Sequence, residues 1–93
     1  MRVGTLRVDF RIPGSDSLKA KRKVMRSLKD RIRARFPVAI AEVGYQDLHA
    51  RGLLGIAAVG EEGRTVEHVL DEVQRLIEGE LRILVVDLTR DHL

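Results

Sequence analysis

Along this chain the apolar residues switch repeatedly between a period of two and a period of about 3.6, the repeats of a strand and of a helix. Over residues 3–12, Gly4, Leu6, Val8, Phe10 and Ile12 point one way, and Thr5, Arg7, Asp9 and Arg11 the other. That alternation predicts a strand with one buried face. Pro13-Gly14 ends it, and Ser15, Asp16 and Ser17 offer N-caps for a helix starting at residue 18. From residue 18 to 36 the pattern is helical: Leu18, Met25, Leu28, Ile32 and Phe36 share a face, with Val24 at its margin. Pro37 stops this helix. VAIAEV (38–43) and LLGIAAV (53–59) predict two further strands, joined by a loop from Gly44 to Gly52. Gly60-Glu61-Glu62-Gly63 reads as a turn, with Thr65 as the N-cap of a second helix. Val66, Val69, Leu70, Val73, Leu76 and Ile77 keep a clean helical period, and Gly79 stands where a C′ glycine belongs. LRILVVDL (81–88) predicts the last strand.

Two strand–helix–strand units in series specify an α+β chain. The expected fold is a βαββαβ ferredoxin-like sandwich, two helices on one face of a four-stranded antiparallel sheet, with residues 1–93 as one domain. Segments 53–59 and 81–86 are apolar on both faces, so the sheet face without helices is expected to be apolar too. An uncovered face of that kind is a sizeable patch. A homodimer is therefore expected, through this face or a sheet edge; the small residues Gly55, Ala57 and Ala58 are the alternative way of keeping the patch tolerable.

Composition narrows the classes. The chain has no cysteine, which excludes disulfides and thiolate metal sites. No apolar run is long enough to span a membrane, and the alternating, charged MRVGTLRVDF reads as a strand, not a secretory signal. A cytoplasmic protein without metal or cofactor is expected. Asn, Cys and Trp are absent and Arg far outnumbers Lys, as in a thermophilic source, although a GC-rich genome gives the same arginine excess.

The net charge of +3 matters less than its distribution. Residues 18–36 hold nine basic side chains and one acidic one, and residues 64–80 hold two basic and five acidic. On the first helix Lys19, Arg22, Lys23, Arg26, Lys29 and Arg33 project onto one flank, and Lys21 is counted with them as a candidate phosphate contact. Like charges at i, i+4, such as Arg22–Arg26 and Lys29–Arg33, cost a few tenths of a kcal/mol per pair. The stripe matches the electrostatic footprint of nucleic-acid binding; a solvated helix face beside the acidic second helix is the plainer reading. The Pro13–Lys21 segment puts hydroxyls, free backbone N–H groups and lysines together, but no second glycine precedes the lysine as in a phosphate-binding P-loop, and ordinary capping by Ser17 or Asp16 accounts for it.

Several known uses of this topology fail at the residue level. Arg51-Gly52 resembles the start of an RNA-recognition-motif signature, yet Leu53 and Gly55 stand where stacking aromatics are needed. Acylphosphatase chemistry needs an Asn that this chain lacks. His49, His68 and His92 are scattered, with no pair at metal-ligand spacing, so no catalytic residue is expected. His68 falls on the polar side of the second helix and is expected to be solvated. Glu42, Tyr45, Gln46, Asp47 and Arg51 make a polar corner where a ligand or partner could sit, and Asp47 and His49 could meet there; structural turn residues are the commoner explanation.

Three segments together prompt a comparison with a known family. They are Ser17-Leu18-Lys19-Ala20-Lys21-Arg22, Arg33-Ala34-Arg35-Phe36 and Ile40-Ala41-Glu42-Val43-Gly44-Tyr45-Gln46-Asp47. In these, and on through Ile77-Glu78-Gly79, the chain resembles the YlxP-like family of small bacterial proteins. It departs at Pro37, where that family often has Asn, and at His49, where an aromatic is common. The resemblance implies a ferredoxin-like fold and no established activity. It also implies gene neighbours in translation initiation and ribosome binding, which point to ribosome assembly or RNA. A non-enzymatic RNA- or ribosome-associated module using its basic helix ranks first. A homodimeric module binding an acidic protein partner is second, and a small ligand-binding protein or enzyme at the hairpin corner third.

Overall fold

The computed structural model describes every residue from Met1 to Leu93. The elements follow the order β1 (Arg2–Arg11), α1 (Leu18–Arg35), β2 (Val38–Gly44), β3 (Arg51–Gly60), α2 (Gly63–Glu78) and β4 (Leu84–His92). The sheet is antiparallel in the order β2-β3-β1-β4, with both helices on one face: the ferredoxin-like plan. The alternation of β1 is the strand's own signature. Leu6, Val8, Phe10 and, just beyond the strand, Ile12 are buried under the helices, while Arg7 and Arg11 face outward.

Helix α1 begins where Ser17 accepts a hydrogen bond on Oγ from the Ala20 amide at 3.0 Å. It buries Val24, Met25, Leu28 and Ile32, and Phe36 caps it with extended backbone just before Pro37. Helix α2 buries Val66, Leu70, Val73 and Ile77. Removing each of these from water is worth roughly 1.5–3 kcal/mol, which is why the weaker local signals around α2 are overridden. Those signals placed its ends imperfectly. The N-cap is Glu62, without a side-chain bond, and Thr65 lies inside the helix. Gly79 closes it at φ −82°, in right-handed geometry, so no left-handed glycine is needed there.

The last strand is displaced from the predicted 81–88. Residues 80–83 form a turn round Glu80, whose Oε2 accepts from the backbone N and the Nε of Arg82, each at 2.9 Å. Strand β4 then pairs Leu84 with Arg11 and His92 with Gly4. An apolar run marks burial but not which part of it the neighbouring strand takes. The charged end belongs to the strand because Arg90 turns toward α2, donating to Glu67, Asp71 and the Gln74 amide oxygen at 2.7–2.9 Å.

Between β2 and β3 the register shifts at Glu42/Gly44, a bulge at the rim of the sheet. Gly52, the partner of Phe10, marks a close approach: a Cβ there would lie 2.6 Å from the Phe10 ring. No helix is long and apolar enough to cross a membrane.

Candidate nucleic-acid interface and hairpin corner

Antiparallel packing of β2 beneath α1 brings the end of β2 beside the first turns of the helix. The basic stripe and the polar corner, separate in sequence, therefore become neighbours. Lys19, Arg22, Lys23 and Arg26 are exposed and Lys29 half-buried, and none forms an ion pair. Arg33 is exposed and donates to the Ile40 carbonyl at 3.0 Å, which lays a guanidinium along edge strand β2.

The acidic second helix does not neutralise this stripe. Glu67 and Asp71 are held by Arg90, and Glu72 by Arg75. The hydrogen bond from Arg90 keeps the Asp71 carboxyl below the usual carboxylate range. On α1 only Arg31 reaches an acid on the far side of the fold, Glu80. That carboxylate also accepts from Arg82, the main cause of its fall to a pKa of about 2.

Lys21 departs from the expectation that it meets phosphate. It is 2% exposed and cannot do so. Its Nζ donates to the Tyr45 carbonyl at 2.6 Å and the Leu48 carbonyl at 2.9 Å, and lies 3.4 Å from Glu42 Oε1. A buried ammonium is tolerable only with such partners. Lys21 thus pins the hairpin loop to the helix.

The corner divides into separate parts. Glu42 and Gln46 face α1 and, with Leu18, Lys21, Arg22 and Lys29, line a cleft of about 310 Å³. Tyr45 and Arg51 turn to the open sheet face. Arg51 straddles Asp9 at 2.9–3.1 Å, the Tyr45 hydroxyl meets the same carboxylate at 3.3 Å, and the Arg51 guanidinium lies 4.8 Å from the Tyr45 ring centroid. Asp47 and His49 share a shallow depression with Arg11 and Arg51, without an ion pair between them. His68 is exposed on α2, as its place on the polar side of the helix predicts.

Tyr45 stands out for its backbone. Its φ of 60° lies in the left-handed region, at a cost of about 1–2 kcal/mol for a bulky residue. Lys21, Asp9 and Arg51 hold it there. Asp9 was missed from sequence because it read only as the polar side of β1. The useful signal was its cross-strand neighbour Leu53, which lies on the same strand as Arg51 and close to it. No group of three or more His, Cys, Asp or Glu side chains is placed to hold a metal ion.

The open face carries a groove of about 480 Å³ lined by Ala39, Ala41, Val43, Gly55 and Ala57, with Arg7 and Asp91 on its far side. Val43, Val59 and Leu84 are each more than half exposed.

A two-layer α+β domain, with a cationic helix flank beside a pinned hairpin, defines the class to which this chain is assigned by its architecture. The profile of a protein family of unknown function, DUF503, matches residues 3–90, and the chain belongs to that family. It is 36% identical over 77 residues to the uncharacterized protein YlxP of Bacillus subtilis (strain 168), covering 83% of this chain and 84% of that one. The match agrees with the resemblance seen in the sequence. It assigns no activity.

Proposed function

We propose that this chain is a non-catalytic, cytoplasmic RNA-binding module that docks on structured RNA, such as ribosomal RNA, through the outer flank of α1. The observation that carries this reading is the set Lys19, Arg22, Lys23, Arg26 and Lys29: five cations on one flank without a carboxylate partner. Unpaired like charges held on a rigid helix repel one another, and a row of phosphates relieves that repulsion. Release of the RNA's counterions then supplies the affinity. The sheet offers no stacking platform, since Phe10 is buried and Leu53 and Gly55 occupy the outward positions. Binding therefore runs through the helix.

Fluorescence anisotropy with a labelled ribosomal RNA fragment, across a salt series, tests this. We expect micromolar or tighter binding with a log–log salt slope of about −3 to −5, equivalent to about four to six phosphates. Changing Arg22, Arg26 and Lys29 together to Glu should collapse it. If wild type and variant both fail to bind at about 50 mM salt, where such binding is strongest, the stripe is not a nucleic-acid surface. An acidic protein surface would then be its partner, recoverable in a nuclease-treated pull-down.

A second reading concerns assembly, and the apolar groove with exposed Val43, Val59 and Leu84 favours it. We propose that a second copy covers this sheet face. The small side chains on β2 and β3 allow another sheet to approach closely, and Arg33 on the Ile40 carbonyl guards the β2 edge against strand pairing.

A further inference from the structure

We infer that the cleft between α1 and β2 is a base-reading site, which takes one unpaired nucleobase bearing an exocyclic amino group and recognises it through Glu42 and Gln46. The inference rests on the RNA reading of α1 and adds the kind of RNA that the surface selects.

A surface built only for phosphates should hold no acid, because a carboxylate repels them. Yet Glu42 sits within the basic flank, sharing the cleft with Arg22 and Lys29. Its carboxylate is 19% exposed, and its only cation is Lys21, at 3.4 Å. The shorter bonds of Lys21 go to the Tyr45 and Leu48 carbonyls. One oxygen of Glu42 thus faces the Lys21 ammonium, and the other accepts no hydrogen bond within the protein and is left to a ligand in the concavity. Such an arrangement suits a ligand with negative charge outside and hydrogen-bond donors inside. A nucleotide has that polarity: its phosphate meets Arg22 and Lys29 at the rim, and its amino group meets Glu42.

The other walls agree. Gln46 is exposed at the mouth and carries both a donor and an acceptor for the ring edge. Leu18 supplies an apolar wall, and the Arg22 guanidinium plane is a surface on which a base can stack. At about 310 Å³ the cleft lies at the small end of ligand sites, with room for one base and not a stacked run. In an RNA duplex one amino N–H is paired and the other lies in a major groove too deep and narrow for side chains, so a loop, bulge or single strand must present it. Adenine and cytosine offer an amino group, whereas uracil has none, and its single N3–H donor is flanked by two carbonyl oxygens that the carboxylate repels.

The test compares labelled single-stranded RNAs of about twelve adenines, cytosines or uracils with the intact protein, at several salt concentrations. One or both amino-bearing strands should bind about tenfold tighter than the uracil strand, within the range that one good base contact supplies. Glu42→Leu, which has no acceptor, should bring the affinities within about twofold and leave the salt slope unchanged, since phosphate contacts are untouched. Gln46→Ala, at an exposed position, should reduce the preference in part; circular dichroism confirms that both variants are folded. Equal affinities in the wild type, or a preference that survives both variants, overturns the base-reading site while leaving the helix as an RNA surface. Failure of the wild type to bind any strand or the ribosomal fragment overturns the RNA reading itself.

Discussion

Lys21 belongs to the core side of its helix, although its charge files it with the surface. Set against Lys19, it projects about 200° round the helix, between Val24 and Leu18 and close to Leu28. The periodicity therefore already placed it among the apolar residues. What it could not supply was the reason, namely two loop carbonyls some 25 residues away in sequence that need a donor. Replacing Lys21 by Met keeps the bulk and removes the donor. Hydrogen bonds to a charged group are worth about 1.5–3 kcal/mol, so the melting temperature should fall by about 5–15 °C. Amide exchange at residues 45–50 should quicken most. A variant as stable as the wild type would show that the lysine does not hold the loop. Tyr45 is the complementary case. Nothing in Gly44-Tyr45-Gln46 announces a left-handed tyrosine, because that conformation is imposed by Asp9, Arg51 and Lys21 from three other elements.

Among the elements, the strands and helices that carry a clean period were legible: β1, α1, β3 and the body of α2 stand where the spacing predicts. The junctions were not. The turn between α2 and β4 is built on Glu80, which binds Arg82 and Arg31, while Arg82 also donates to Ser27 Oγ at 3.0 Å. This ties the turn to α1, and no local rule foresees it. The Glu80 carboxyl is held at about 2, below its ordinary value, chiefly by the Arg82 hydrogen bonds. A depressed carboxyl stabilises the fold above its unfolded-state pKa, and that contribution is lost as pH falls toward the folded one. Wild-type stability should therefore decline between about pH 5 and pH 2, and Glu80→Gln should remove about 1–2 kcal/mol at neutral pH and flatten that part of the profile. Denaturant melts at pH 7, 4.5 and 3 would measure it. An equal difference between the two proteins at all three values would rule this linkage out.

For the whole molecule, the surface left uncovered is the open sheet face. Its apolar half lies on β2 and β3, and its charged half, with Arg7, Asp87 and Asp91, on β1 and β4. If a second copy covers it, changing Val43 and Val59 to Asp should convert a dimer to a monomer with its circular dichroism intact. Sedimentation equilibrium would read this directly, and a wild type that is monomeric at about 100 μM, a concentration at which even a weak interface would associate, would sink the proposal.

The sequence by itself determined the architecture, because each period of two or 3.6 can bury its apolar residues in only one way. Their order then leaves a sheet with two helices on one side. It also determined that α1 is cationic along one flank. Only the tertiary structure decided which cations remain free, since pairing depends on residues brought together from distant segments. It withdrew Lys21 into the loop, committed Glu67, Asp71 and Glu72 of α2 to Arg90 and Arg75, and split the polar corner between two faces of the sheet. Above all it set Glu42 and Gln46 beside Arg22 and Lys29. That juxtaposition exists because β2 runs back antiparallel beneath α1 and ends at the bulge after Glu42. Periodicity speaks only of neighbours along the chain; a cleft is made by neighbours across it.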